Sequence, residues 1–209
     1  MRNDYNSIAG YYDRLSRLVF QRSIIRSQQY LIDFISDNNK VLVVGGGTGW
    51  ILDEVSKLNR KNISIVYVEK SSKMIELSKK RKHENVAVEF VCSGIESYKT
   101  DEHFDVILTP FVFDNFIEKK IQYVFQRLDA LLHQRGFWLY ADFVNYQEVQ
   151  RAWKQYFLKT MYIFFSLAAN IETKKLIDMR PYFTEKYKMV TQQFYYRRFI
   201  ESIVYRKIK

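Results

Sequence analysis

The sequence predicts a doubly wound α/β fold, with a mostly parallel seven-stranded sheet closed by an antiparallel hairpin. Three observations predict it. Short apolar runs alternate with stretches of helical spacing between residues 40 and 142, four of the seven glycines fall between positions 45 and 49, and two strand-like runs follow each other at the end of the chain.

Each element can be justified in order. A helical segment spans about Tyr11 to Phe20, and a second helix about Arg22 to Ile35, with apolar points at Ile25, Leu31, Ile32 and Ile35. Lys40-Val41-Leu42-Val43-Val44 is a short apolar run stopped by glycine, the pattern of a parallel strand buried on both faces. Ile51 to Leu58 repeats its apolar residues at helical spacing. Ile63 to Val68 is the second strand and ends at Glu69. Ser71 or Ser72 can cap a helix running through Lys82. Val86 to Val91 is a third strand and Phe104 to Leu108 a fourth, closed by Thr109-Pro110. A helix runs from about Asn115 to Leu132 and stops at His133-Gln134-Arg135-Gly136, and Phe137 to Ala141 forms a fifth strand ending at Asp142. Single helices between successive strands imply right-handed crossovers and a parallel sheet. After Asp142 the pattern changes to a long aromatic helical region, 146–180. Met189 to Tyr196 and Phe199 to Tyr205, joined at Arg197-Arg198, then read as a hairpin.

One domain is expected over 1–209: an amino-terminal helical lid (1–40), a ligand-binding core (41–145), a helical insert (146–180) and the closing hairpin (181–209). The composition, 47% hydrophobic and 17% aromatic, excludes a disordered chain. Met1 leads into Arg2-Asn3-Asp4, and the longest apolar stretch, Tyr156 to Ile171, is interrupted and too short for a bilayer, so neither leader nor anchor is expected and a cytoplasmic location is. Cys92 is the single cysteine, which excludes an intramolecular disulfide and a multi-cysteine zinc site; no metal is expected. The formal net charge of +10 invites an anionic partner. The charges are spread, however, and runs such as Lys79-Lys80-Arg81-Lys82 ordinarily belong to solvated helix faces.

In such a sheet, ligands bind beyond the carboxyl ends of the strands, where strand order reverses. Val44-Gly45-Gly46-Gly47-Thr48-Gly49 lies there, between the first strand and its helix, and glycine lets the backbone approach a ligand closely. The following helix directs free N–H groups and its positive end toward the same place. Glu69, about twenty residues on, is placed to accept hydrogen bonds from ribose hydroxyls. A dinucleotide turn would space its glycines as G-x-G-x-x-G, whereas here the third comes one residue early and is followed by Trp50. A P-loop would need lysine after the last glycine. The turn suits an adenosine ligand without a pyrophosphate.

Val41 to Gly49 resembles the first motif of class I S-adenosylmethionine-dependent methyltransferases, and Val68-Glu69-Lys70-Ser71-Ser72-Lys73-Met74 resembles their second. Glu89 to Glu96 is similar to the family's adenine-edge segment, Phe104 to Phe111 to its fourth strand, and Leu132 to Leu139 to its turn into strand five. Tyr5 to Asp13 resembles the amino-terminal lid of the small-molecule branch that includes quinone-biosynthesis enzymes, and 146–180 the aromatic insert of lipid- and quinone-type members. The resemblance covers about 1–145. It implies a Rossmann-like sheet and S-adenosyl-L-methionine held by Gly45, Gly46, Gly47, Thr48, Gly49, Glu69, Lys70, Met74, Gly94, Ile95 and Thr109. Two positions depart from the pattern. The family usually has an acid where Val43 stands, and often an aspartate where Gly94 stands, with Ser93 and Glu96 as candidate substitutes.

Methyl transfer from a sulfonium needs proximity and alignment more than a fixed catalytic triad. A base is required only when the acceptor atom carries a proton at neutral pH, and the candidates at the correct sheet edge are Asp142 and Asp114, each of which could instead cap a helix. His83, His103 and His133 fall at the opposite edge. For the acceptor, Tyr12, Phe111, Trp153 and Tyr156 are candidates: the band containing Trp153, Tyr156, Phe157 and Met161 suits core packing or a cover over a hydrophobic substrate. A small acceptor with an anionic or lipid-like character, and peripheral membrane contact, fit the aromatic and basic content. Cys92 lies away from strand four, which excludes cytosine C5 chemistry, and Thr109-Pro110-Phe111-Val112 lacks the leading amide or acid of base and glutamine N-methylation, which weakens a nucleic-acid role. The alternatives are a non-catalytic S-adenosylmethionine-binding protein, an RNA methyltransferase, and a nicotinamide oxidoreductase suggested only by Tyr182 and Lys186.

Overall fold

The computed structural model describes residues 22–144 and 177–209, together with Ala9 and Phe20. The expected helix near 11–20 and most of the 146–180 insert, with Tyr12, Trp153 and Tyr156, lie outside the described residues. The strands are β1 Lys40–Val44, β2 Ile63–Glu69, β3 Val86–Cys92, β4 Phe104–Pro110, β5 Leu132–Phe143, β6 Tyr187–Tyr195 and β7 Ile200–Lys207. The helices are α1 Ser23–Ile32, α2 Trp50–Lys57, α3 Ser72–Ser78, α4 Glu118–Leu131 and the short α5 Arg180–Phe183, with a 3-10 turn at Phe113–Asn115.

All seven strands form one sheet in the order β3-β2-β1-β4-β5-β7-β6. The first five run parallel, and β7 enters antiparallel between β5 and β6. The chain winds outward from β1 to β3, then crosses to β4 on the other side of β1. That reversal opens a crevice at the carboxyl ends of β1 and β4.

Period-two side-chain alternation divides the core into two layers. Val41 and Val43 of β1, with Ile63, Ile65 and Tyr67 of β2, pack beneath α2, whose Ile51, Leu52 and Val55 are buried. Leu42 and Val44 face the opposite layer, where Ile121, Val124, Phe125 and Leu128 of α4 meet Trp138. There Trp138 stacks on Phe125 with centroids 4.9 Å apart, and Phe183 of α5 stacks on Tyr205 at 3.9 Å. Asp129 of α4 ties this layer to the last strands: it accepts from Lys186 Nζ (2.6 Å) and Tyr187 Oη (2.7 Å), and Lys207 Nζ lies 3.3 Å from its carboxylate.

Of the boundaries that differ from expectation, two have a local cause. His133–Gly136 is not a helix-ending turn but part of β5, which begins at Leu132: Leu132 pairs with Phe104 and Phe137 with Val106, so the residues between bulge out, and Arg135 takes a left-handed φ of 66°. The helix expected through Lys82 ends at Ser78, and residues 79–81 form turns in which Lys80 N–H donates to Leu77 O and Arg81 N–H to Ser78 O.

Candidate functional site

A cavity opens at the carboxyl ends of β1, β2 and β4. Gly45, Gly46, Gly47 and Thr48 form one wall, Glu69, Lys70 and Met74 a second, Ser93 to Glu96 a third, and Pro110, Phe111, Val112, Asn115 and Phe116 a fourth. Ile24, Ile25 and Gln28 of α1 close it from above the turn, beside Trp50. Gly45, Gly46, Gly47, Thr48, Glu69, Lys70, Met74, Gly94, Ile95 and Phe111 thus converge on one cavity.

The glycine turn is shaped by what packs around it. Gly47 and Gly49 have φ of 62° and 78°, values that L side chains rarely adopt. A Cβ on Gly49 would come 2.5 Å from Ser78 Cβ, so α2 and α3 approach each other at that point. A Cβ on Gly46 would fall 2.4 Å from the ring of Tyr67, which is fully buried and donates its hydroxyl to Gly47 O at 3.0 Å. On the cavity side, a Cβ on Gly47 would meet nothing within 4 Å. The turn is therefore crowded from behind and open toward the cavity.

Glu69, only 8% exposed, sits at the tip of β2. Its carboxylate accepts from Gly47 N–H at 3.1 Å and Ser71 N–H at 2.9 Å, linking the glycine turn to the start of α3. Burial raises its pKa above the ordinary glutamate value, against the lowering effect of the N–H groups of Ser71, Gly47 and Lys70. Ser71 caps α3 by accepting from Met74 N–H at 3.2 Å, which places Met74 over the cavity. Gly94 takes the place of a side chain: a Cβ there would lie 2.5 Å from Glu96 Oε2, so the Glu96 carboxylate folds over position 94, with Lys70 Nζ 3.9 Å away.

Phe111 holds a left-handed φ of 55°, unusual for an aromatic residue. Its N–H donates to Ala141 O at 2.7 Å and its carbonyl accepts from Asn115 Nδ2 at 3.0 Å. Its ring lies 4.9 Å from that of Phe143, which in turn meets Phe20 at 5.1 Å and Phe199 at 5.5 Å. An aromatic layer thus runs from the cavity wall toward the β6–β7 turn. There Tyr196, Arg197 and Arg198 take consecutive left-handed φ values of 48°, 52° and 69°.

Three expected residues stand behind the walls. Thr109 is fully buried and accepts from Trp138 Nε1 at 2.9 Å, on the α4 side of the sheet. Asp142, 2% exposed, accepts from Phe113 N–H (3.2 Å) and Phe143 N–H (2.8 Å), so it anchors the 3-10 turn rather than facing the cavity. Asp114 belongs to that same turn, where Asn115 Nδ2 donates to its Oδ1 at 2.5 Å. Gly49 also stays outside the lining and sets the helix contact instead. His83 packs against Phe90, and His103 stacks on His133 5.5 Å away.

Sequence reasoning missed the lining from α1 and from Val112, Asn115 and Phe116, and two residues that shape the glycine turn from behind. Tyr67 carried no signal beyond an aromatic in a strand. Arg81, read as part of a solvated run, instead donates through Nε to Thr48 O at 3.0 Å and lies 3.3 Å from both Thr48 Oγ1 and Asp53 Oδ2.

Comparison with known proteins adds the following. Residues 41–136 match the model of a methyltransferase domain. No curated protein matches the chain by sequence. Among solved structures, the DhpI complex with SAH is similar over 98% of this chain and 93% of its own (TM-score 0.70, 11% identity). The Burkholderia thailandensis 1,6-didemethyltoxoflavin-N1-methyltransferase, bound to 1,6-didemethyltoxoflavin and S-adenosylhomocysteine, is similar over 97% and 86% (0.62, 13%). The cyclopropane synthase MmaA2 from Mycobacterium tuberculosis is similar over 88% and 84% (0.65, 12%). At these identities the likeness is one of fold.

Proposed function

We propose that this chain, whose residues 41–136 match the model of a methyltransferase domain, uses S-adenosylmethionine to transfer a methyl group to a small hydrophobic acceptor, in the manner of the quinone- and lipid-type members. The observation that carries the reading is the cavity itself: a glycine turn and a buried carboxylate on one side, and a wall of Phe111, Val112 and Phe116 on the other.

The residues fit the cofactor. The open side of Gly47 leaves room for a ligand against the backbone, and Glu69 offers a carboxylate for two ribose hydroxyls. Met74 and Ile95 supply apolar surface for a purine, and Glu96, folded over Gly94, supplies the acceptor that an aspartate at 94 would otherwise give. Bound there, the sulfonium provides an already activated methyl group. The chain's own residues then bind, orient and exclude water. Asp142 holds the 3-10 turn behind Phe111, its two oxygens accepting the N–H groups of Phe113 and Phe143. The apolar wall selects a hydrophobic acceptor body. Arg197 and Arg198, exposed at the same end of the sheet, favour an acceptor with an anionic group and contact with an anionic lipid surface.

Turnover decides this reading. The protein is incubated with S-adenosylmethionine and a panel of phenolic and lipid acceptors, and methylated products are followed by mass spectrometry. Transfer to an apolar acceptor is expected. Tight binding of S-adenosylhomocysteine with no transfer to any acceptor would favour a non-catalytic binding protein. In parallel, Glu69→Ala removes two hydrogen bonds to a charged acceptor, each worth about 1.5–3 kcal/mol. Calorimetry should find cofactor affinity reduced at least a hundredfold, and an unchanged affinity would place the ribose elsewhere.

A further inference from the structure

We propose that Arg81 is a positioning residue for the cofactor, acting from outside the cavity by fixing the end of the glycine turn. The inference rests on the cavity being the cofactor site.

The geometry begins with Thr48, 3% exposed, whose carbonyl precedes the first turn of α2. Arg81 Nε donates to that carbonyl at 3.0 Å, and NH2 lies 3.3 Å from Thr48 Oγ1. The third nitrogen, NH1, lies 3.3 Å from Asp53 in the first turn of α2, and Asp53 also accepts from Lys82 N–H at 2.9 Å. One planar guanidinium thus holds the backbone and the side chain of Thr48 together with the helix that follows, a task its fixed fork of donors suits and a lysine's point charge does not. Directly alongside, Gly49 packs on Ser78, so α3 braces the turn by contact and by hydrogen bond at its carboxyl end. At its amino end, Ser71 N–H holds Glu69. A seven-residue helix therefore sets the distance between the two parts of the site that grip the cofactor.

The placement works against simple electrostatics. A cation beside the amino end of α2 meets the positive end of the helix dipole. Asp53 offsets that cost, and the retained charge adds positive potential near the turn, where a ligand carboxylate is drawn. Arg81 itself does not line the cavity, so its effect passes through Thr48.

The test uses the full chain, with S-adenosylhomocysteine as probe. Arg81→Ala and Arg81→Gln should raise its Kd at least tenfold, while Arg81→Lys recovers only part of the loss. Lys80→Ala, which removes one exposed charge from the same turn, should leave Kd unchanged. In ligand-free protein, hydrogen exchange at the 47–50 amides should quicken in Arg81→Ala, with exchange in β1 and β4 preserved. Equal Kd for Arg81→Ala and wild type would overturn the proposal, as would an equal loss in Lys80→Ala, which would make the effect one of net charge. If Arg81→Ala does not fold, Arg81→Gln and Arg81→Lys carry the same comparison. Failure of the wild type to bind the probe would instead overturn the cofactor reading of the cavity on which the proposal stands.

Discussion

Asp142 is a carboxylate whose surroundings favour its neutral form. Burial raises its pKa to about 7, against backbone N–H groups from Phe143, Asp114 and Phe113 that lower it, with Glu201 adding negative charge. Asp114 shifts upward as well, by burial and by the nearby Asp142 charge. Glu201, opposite Asp142 across the β5–β7 pair, is raised by burial while Arg180 and Gln192 pull it down. Below about pH 4 an ordinary aspartate is protonated whether folded or not. From there up to about pH 7 the folded chain keeps a proton that the unfolded chain has lost, so this group's contribution to stability falls as pH rises. Urea unfolding at pH 5 and pH 8 should therefore give a smaller stability at the higher pH, and Asp142→Asn should flatten that difference. Equal slopes in the two proteins would assign the titration elsewhere. Position along the strand marked Asp142 in the sequence, but position could not say which way its oxygens point. The same limit applied to Thr109, whose partner Trp138 is 29 residues away, and to Arg81, whose partner Thr48 lies 33 residues back.

At the scale of elements, legibility followed the strength of local patterning. β1 was read with its observed ends because an apolar run met a glycine, while α3 was read four residues too long because its charged tail kept helical composition after the turns began. The start of β5 was missed since a bulge with Arg135 in a left-handed conformation looks, in sequence, like a helix-stopping turn. What joins the last strands to α4 was invisible for another reason: it depends on a charge network with no local signature. Lys207, 7% exposed, donates to the Asp129 and Leu132 carbonyls and lies against the Asp129 carboxylate. Asp129→Ala leaves that ammonium buried without its counter-charge, a change that costs about 3–5 kcal/mol when a buried pair is broken from one side. Chemical denaturation should register the loss, and a loss below about 1 kcal/mol, the scale of exposed pairs, would mean that solvent reaches Lys207.

For the whole molecule, the formal net charge is +10, and the wall of the cavity at Phe111, Val112 and Phe116 is apolar. Among the described residues, no helix is long and apolar enough to cross a membrane. Charge of this kind acts on encounter more than on the reacting atoms, and salt screens it over about 8 Å at physiological ionic strength. Raising salt from about 0.05 to about 0.5 M should then raise KM severalfold for an anionic acceptor and leave kcat and a neutral analogue unaffected. A neutral acceptor with the same salt dependence would show that screening acts on the protein's own conformation. The seven-stranded, mostly parallel sheet and the cavity beside the glycine turn were legible because strand alternation and a glycine cluster leave a local pattern in sequence. The rest of the lining was not, because Ile24, Gln28, Val112 and Phe116 meet the glycine turn only in the fold.

The contact between Gly46 and Tyr67 also bears on how this chain can diverge. With the Tyr67 ring 2.4 Å from any Cβ at position 46, alanine at 46 forces that buried ring to shift while tyrosine stays, and is accommodated more easily after Tyr67 has shrunk. In the other order the backbone of the turn stays unstrained, since replacing Tyr67 first empties space beneath it and forfeits the hydrogen bond to Gly47 and the ring contact with Phe90. Substitutions at these two sites are therefore order-dependent: alanine at 46 is better tolerated in a chain already altered at 67, and the two positions should vary together.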